Sequence, residues 1–402
     1  MTQSQAELVA MAQASLYPNY RPAPFVLVRG RGTEIWDADG KRYLDLCAGI
    51  AVSTLGHGHP RLTATIAEQA GRLLHVSNYF LNQPNVTLAA RLCQLTGMDR
   101  AFFCNSGAEA VEAMLKLARR HYYALGQTNR DRVIAFEGAF HGRTMGALAV
   151  TGTSSYRDGF GPLGAVTHVD YGDAEAVRAA MSDDVAAILV EPIKGEGGVV
   201  PAPEGFLRDL RSIANEHGAL LLADEVQTGV GRTGRFLAFG HHGVEPDAVT
   251  LAKGLAGGVP IGAMLCRGAL EQALPPGSHG CTFGGNPLAS AAALTVLDTM
   301  ESEQLVAAAE RKGQHLRRGL ERLAERHCSH VECSRGLGLL QVLVLRESVP
   351  AAKVLSRITD AGVLLTLSGG RGLRFSPPLT VSTEELDEGL GVVDEVLRTQ
   401  SA

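Results

Sequence analysis

Two polar groups, each at the end of an apolar run, are the first candidates for chemistry in this sequence. The run at 220–223 stops on two carboxylates, Asp224 and Glu225, and the run at 248–252 stops on Lys253, followed at once by Gly254. Runs so short and so apolar fit buried strands. Open α/β sheets bind ligands just outside the carboxyl ends of their strands, so these acids and this amine stand where a ligand would. An amine beside a residue that lets the backbone approach closely suits a Schiff-base nucleophile. Read singly, Lys253 is a solvated loop lysine and Asp224 a helix cap, so the neighbouring motifs have to decide.

Three more runs end in the same way. Residues 101–104 lead into N-S-G-A-E-A, which sets Ser106, Gly107 and Ala108 at the start of a helix. Free backbone N–H groups, the helix dipole and the Ser106 hydroxyl make such a turn an anion site. A plain N-cap at Asn105 or Ser106, with Glu109 in the first turn, is the alternative. Residues 133–136 lead into E-G-A-F-H-G-R-T, so Phe140, His141 and Arg143 follow a strand end. Phe140 can stack on a planar ring and Arg143 can fork a carboxylate, against the ordinary readings of a core ring and a solvated cation. Residues 185–190 lead into E-P-I-K-G-E-G-G, with Glu191 and Glu196 in a glycine-rich loop. Polar or aromatic groups at so many strand ends make coincidence the weaker explanation.

Other patterns carry less. Gly229, Gly231 and Gly234 match G-x-G-x-x-G, the fingerprint of a nicotinamide dehydrogenase that uses NAD. Here the strand has already ended at Asp224, and no clear amphipathic helix follows for a pyrophosphate to cap. His57 and His59 read as loop residues, and His241 with His242 lack partners, so no metal site is expected.

The elements that would position these groups alternate from residue 61 to about 300. Helices are expected at 61–74, 85–95, 109–124 and 205–216, and strands at 101–104, 133–136, 185–190 and 220–223. That alternation implies a mostly parallel sheet covered by helices, forming a large domain at 61–300. Residues 1–60 carry a β unit with a tight turn at Asp39-Gly40. Residues 301–402 follow the helix at 288–300. They read as a helix at 303–325, strands near 338–345 and 362–367, a helix at 351–360, and a last helix opened by a capping box of Ser382 and Glu385. The two ends are expected to form one small α+β domain.

Composition bounds the function class. The chain has 402 residues, 45% hydrophobic and 20% charged, with a net charge of -5, as expected of a soluble globular protein. No basic run suggests nucleic acid, and no apolar stretch reaches the roughly 20 residues of a membrane span. The start M-T-Q-S-Q-A-E-L is not a signal peptide. Seven cysteines without C-x-x-C spacing imply reduced thiols and a cytoplasmic location.

Taken together, S-G-A-E-A, A-F-H-G-R-T, E-P-I-K-G-E-G-G, A-D-E-V-Q-T-G-V-G-R-T-G, A-K-G and T-F-G-G-N-P-L-A resemble the signatures of class III aminotransferases. The resemblance extends to Y-P-N-Y-R-P-A-P-F, L-G-H-G-H-P and L-R-F-S-P-P-L, and so to nearly the whole chain. It implies fold type I of the pyridoxal-phosphate-dependent transferases, an α/β fold with a mostly parallel, seven-stranded-type sheet. It implies pyridoxal 5'-phosphate (PLP) as cofactor. Lys253 would then bind the cofactor covalently and move a proton, and Asp224 would pair with the pyridine nitrogen. Ser106, Gly107 and Ala108 would hold the phosphate, Phe140 would stack on one face, Val226 would pack on the other, and Gln227 would approach the phenolic oxygen.

Thr282 resembles a residue that reaches the cofactor of a second subunit, which implies a homodimer with shared active sites. Arg374 would take the α-carboxylate of glutamate, and Glu196 would neutralise it when a donor without that need is bound. Arg143 would take the other carboxylate. The substrates implied are an amino acid and a 2-oxo acid, with the terminal amine of N-acetylornithine passing to 2-oxoglutarate. Ornithine, succinylornithine, succinyldiaminopimelate and 4-aminobutyrate are the alternatives within the class. The chain departs from the family pattern at Ala108, where threonine is frequent, in S-N-Y-F-L-N, and in S-G-G-R-G before Leu373, where an asparagine-rich stretch is usual.

Overall fold

The computed structural model describes residues 3–400. Its centre is a seven-stranded sheet. In spatial order the strands are Arg100–Cys104, Gly262–Cys266, Ala248–Leu251, Leu220–Asp224, Val185–Val190, Arg132–Phe136 and Val166–Val169. Gly262–Cys266 is antiparallel to both of its neighbours, and the remaining pairings are parallel. The four strands around the middle are buried along their whole length, because helices cover both faces. Alternation divides them between two cores. Leu221 and Ala223 belong to one, and Leu220 and Leu222 to the other, where helix Gly107–Ala124 lies.

Local chemistry sets the helix ends near the site. Ser106 caps Gly107–Ala124, its hydroxyl accepting from the Glu109 N–H at 3.2 Å. Helix Phe206–Glu216 joins Val185–Val190 to Leu220–Asp224 with one apolar face, formed by Phe206, Leu207, Leu210, Ile213 and Ala214. The last helix, Thr383–Arg398, opens with the expected capping box of Ser382 and Glu385.

Smaller sheets flank this centre. Leu27–Arg31, Glu34–Asp37 and Arg42–Asp45 form a meander, with the turn at Gly40 in the left-handed region that glycine tolerates. Val363–Leu364, from far along the chain, adds in parallel beside Arg42–Asp45. Another sheet is built from Val331–Leu337, Leu340–Leu345, Gly372–Phe375 and Thr366–Ser368. The run expected as one strand at 362–367 therefore splits, giving its first half to one sheet and its second half to the other. The strand expected near 338–345 is likewise the second arm of a hairpin.

Three elements leave little trace in the sequence. Gly262–Cys266 reads G-A-M-L-C, without a β-branched residue. Val166–Val169 is a half-buried edge strand of four residues. Helix Gln5–Ser15 buries no residue, so no apolar stripe announces it, although Ser4 and Glu7 form a capping box.

The adjacent carboxylates part company at the end of the central strand. Asp224 stays in the strand, while Glu225 turns into the protein with no exposure. Its oxygens accept from the Ala238 N–H at 2.9 Å, the Phe239 N–H at 2.8 Å and the Thr228 hydroxyl at 2.6 Å. Burial still pushes this carboxyl up to about 7. Glu225 thus ties the glycine loop to the short turn that follows it. Glu225→Ala strands two buried N–H groups and should lower stability by about 3 kcal/mol. Denaturant unfolding checks this; a loss below about 1 kcal/mol would show that water replaces the carboxylate.

Candidate active site

Past the carboxyl ends of the parallel strands lies a cavity of about 420 Å³. Its wall includes Ser106, Gly107, Ala108, Val226, Phe140, Arg143, Glu196, Gln227, Asp224 and Lys253. All ten of these sequence candidates therefore meet in one place. Arg374 joins through Glu196, to which its Nη1 donates. Thr282 does not join them; it is exposed in the segment before helix Pro287–Ser302.

Asp224 is 4% exposed, and both of its oxygens have partners. Its Oδ1 accepts from the Val226 N–H at 3.0 Å and the Thr250 hydroxyl at 3.1 Å. Its Oδ2 lies 2.7 Å from Nδ1 of His141, a buried ring. Burial works against a charged imidazole, yet the hydrogen bond and charge of Asp224 raise the His141 pKa above its ordinary value. The His141–Asp224 contact gives each of these two buried side chains a polar partner.

Lys253 opens a short turn, Lys253–Ala256, with φ +39°, a region that lysine seldom occupies. The next residue explains the tight fit. Thr54 donates its hydroxyl to the Gly254 carbonyl at 2.8 Å, and a Cβ on Gly254 would stand 2.5 Å from that hydroxyl. Burial lowers the Lys253 amine to about 8, despite the nearby Glu196 charge, so a sizeable neutral fraction exists close to neutral pH.

The first turn of Gly107–Ala124 faces the cavity with its free N–H groups. Gly107 is required there, since a Cβ would meet Val226 at 2.7 Å. Phe140 is half-buried, and Arg143 lies 3.8 Å above the ring of Tyr156 and 5.6 Å from that of Phe140. The guanidinium of Arg374 is 1% exposed and also reaches Gly195 O at 3.2 Å and Gln227 Oε1 at 3.3 Å. Gln227 Nε2 donates to Glu196 at 3.1 Å. Burial pushes the Glu196 carboxyl up, but the charge and hydrogen bond of Arg374 prevail and leave it below the ordinary value.

Four contributors carried no role in the sequence reading. His141 and Glu191 stood past strand ends, where their position was the available signal. Glu191 accepts from the Phe140 N–H at 3.1 Å and lines the cavity, with its carboxyl pushed up to about 7 by burial. Thr250 is a lone hydroxyl inside an apolar strand, a weak signal. Tyr156 comes from helix Ser154–Arg157 and gave none. The G-V-G-R-T-G loop leads only to the 3₁₀ turn Ala238–His241. Its Arg232 is buried and donates to the carbonyls of Leu339 and Pro377, fastening the loop to the last part of the chain.

Comparison with known proteins agrees with this geometry. The model of the family "Aminotransferase class-III" matches residues 16–397. The acetylornithine aminotransferase of Myxococcus xanthus is 48% identical over 382 residues, covering 94% of this chain and 95% of its own. A structure of the Toxoplasma gondii ornithine aminotransferase, with partial occupancy of PLP at its active site, superposes with a TM-score of 0.94 at 35% identity, over 98% of this chain and 94% of that one. The N-acetylornithine aminotransferase of Stenotrophomonas maltophilia K279a gives 0.84 at 36% identity, over 97% and 98%. The family model and relatives matched along nearly the full length place the chain in one family: it belongs to the class III aminotransferases.

Proposed function

We propose that this aminotransferase moves the terminal amino group of N-acetylornithine to 2-oxoglutarate, giving N-acetylglutamate 5-semialdehyde and glutamate in arginine biosynthesis. The observation that carries this reading is the pairing of Arg374 with Glu196 beside the differently placed Arg143. A buried guanidinium neutralised from within suits a donor with one carboxylate, and the same guanidinium, once released, suits glutamate with two. The relatives named above support N-acetylornithine as the first of these donors, and the T. gondii likeness brings ornithine forward as the second reading.

As a class III aminotransferase the enzyme uses PLP, and the residues present fit it. The helix N-terminus at Ser106–Ala108 offers N–H groups to a phosphate, Phe140 and Val226 offer two apolar walls, Asp224 offers an anion and Lys253 an amine. The cofactor supplies an electron sink for the carbon that loses its proton. Lys253 Nζ would take that proton and return it at the acceptor carbon, a task suited to an amine lowered to about 8. Asp224, held by His141 and Thr250, would pair with the cofactor's ring nitrogen and favour its protonated form, and Gln227 would approach the phenolic oxygen. Arg143 and Arg374 orient the carboxylates of the substrate.

The working form we infer is a cytoplasmic homodimer. Tyr79, Phe80 and Leu81 are 93%, 70% and 89% exposed, and Phe283 next to Thr282 is 59% exposed. So much ring and aliphatic surface in one chain calls for a partner, and a second copy would bring Thr282 to its neighbour's phosphate site. All seven cysteines are free, as a reducing compartment requires.

Three outcomes are expected. With 2-oxoglutarate as acceptor, N-acetylornithine should exceed ornithine, succinylornithine, succinyldiaminopimelate and 4-aminobutyrate in kcat/KM; a higher value for any of these would replace the substrate while leaving the class. Lys253→Ala should lower turnover by roughly 10²–10⁴-fold, the scale of lost proton transfer, with the circular dichroism spectrum unchanged; activity within tenfold of the parent would refute its role. Light scattering should give twice the 42.4 kDa chain mass, and Phe80→Asp should lower both that mass and the activity. An active monomer would overturn the shared site.

A further inference from the structure

Glu196 and Arg374 come from distant parts of the chain, yet one strand holds both. Ser368 ends Thr366–Ser368 and is 3% exposed. Its hydroxyl donates to Gly195 O at 2.6 Å and accepts from Gly198 N–H at 2.8 Å, so it brackets Glu196 on either side. The next residue, Gly369, donates its N–H to Glu196 O at 2.9 Å. At the other end of the strand, the Thr366 hydroxyl accepts from Arg374 Nε at 3.1 Å. The backbones approach so closely that a Cβ on Gly369 would lie 2.9 Å from the Gly198 Cα.

We propose that Ser368 is a positioning residue for donor choice, pinning the loop at 195–198 to the strand that orients Arg374 so that Glu196 leaves Arg374 only by turning its own side chain. The proposal rests on the reading that Glu196 neutralises Arg374 for donors with a single carboxylate. With the backbone fixed on both sides, the carboxylate of glutamate displaces a side chain rather than a loop. Without the hydroxyl, Gly195 O and Gly198 N–H lose a buried partner, the loop loosens, and Glu196 covers Arg374 less faithfully. The cost falls on the donor that needs the cover.

Single-turnover half-reactions of the holoenzyme test it. Ser368→Ala should lower kcat/KM for N-acetylornithine roughly tenfold and leave that for L-glutamate within about twofold, and calorimetry should find glutarate bound no more weakly than by the parent. In a Glu196→Ala background, adding Ser368→Ala should not change the ratio of the two half-reactions further. Ser368→Thr, which keeps the hydroxyl, should restore the ratio, and it stands in for the alanine variant if that fails to fold. Equal losses in both half-reactions, a ratio shift that persists without Glu196, or a threonine variant with a shifted ratio would each overturn the proposal. Should Glu196→Ala alone leave the ratio unchanged, the pairing reading falls and takes this proposal with it.

Discussion

The structure depends on taking ionised groups out of water at one edge of a sheet and leaving none of them alone. Asp224, Lys253, Glu196 and Arg374 are all buried or nearly so, and an unpaired charge in such a place costs several kcal/mol. Asp224 meets this constraint with His141, Thr250 and a backbone N–H, and Arg374 with Glu196, Gln227 and a carbonyl. Lys253 meets it differently, by shedding its proton more readily than an exposed amine. Three of the four groups are held in paired contacts, and the fourth, the Lys253 amine, is lowered to about 8 and so exchanges its proton more readily than an exposed amine.

The same strand end shows how a one-residue step separates function from structure. The strand ends at Asp224, and the chain turns there, so Asp224 and Glu225 point to different places. Asp224 faces the cavity, whereas Glu225 points into the core and binds the two N–H groups that open the turn at Ala238. The glycine loop between them and Lys253 is therefore scaffolding, with Arg232 as its bolt to the last part of the chain. Its match to a dinucleotide fingerprint reflects a shared need for compact turns, with no helix behind it to hold a pyrophosphate.

How much of this was legible in the sequence varies with the range of the interaction. Apolar runs ending on polar residues marked the central strands, since burial on both faces demands continuous apolar sequence. The antiparallel strand Gly262–Cys266 escaped because it has no β-branched residue, and the split at 362–367 escaped because its two halves answer to different sheets. Site residues next to strand ends could be named one by one. Their partners could not: the pairings of His141 with Asp224, Glu191 with the Phe140 N–H, and Tyr156 with Arg143 depend on where separate loops fall, which no local pattern encodes.

Serving two donors sets opposite demands on one guanidinium. It must be covered when the donor has no carboxylate to offer, and free when the donor has one. A cover that is too strong excludes glutamate, and one that is too weak leaves a buried cation exposed to the other donor. A single ion pair shared with Gln227 answers both, because Glu196 keeps some solvent contact at 27% side-chain exposure while Arg374 has almost none. In the proposed exchange, the partner that moves is the one water can stabilise after it leaves. Had the exposures been reversed, the arginine would have to swing out and the binding geometry for glutamate would be lost with it, so the asymmetry of burial within the pair favours the proposed exchange.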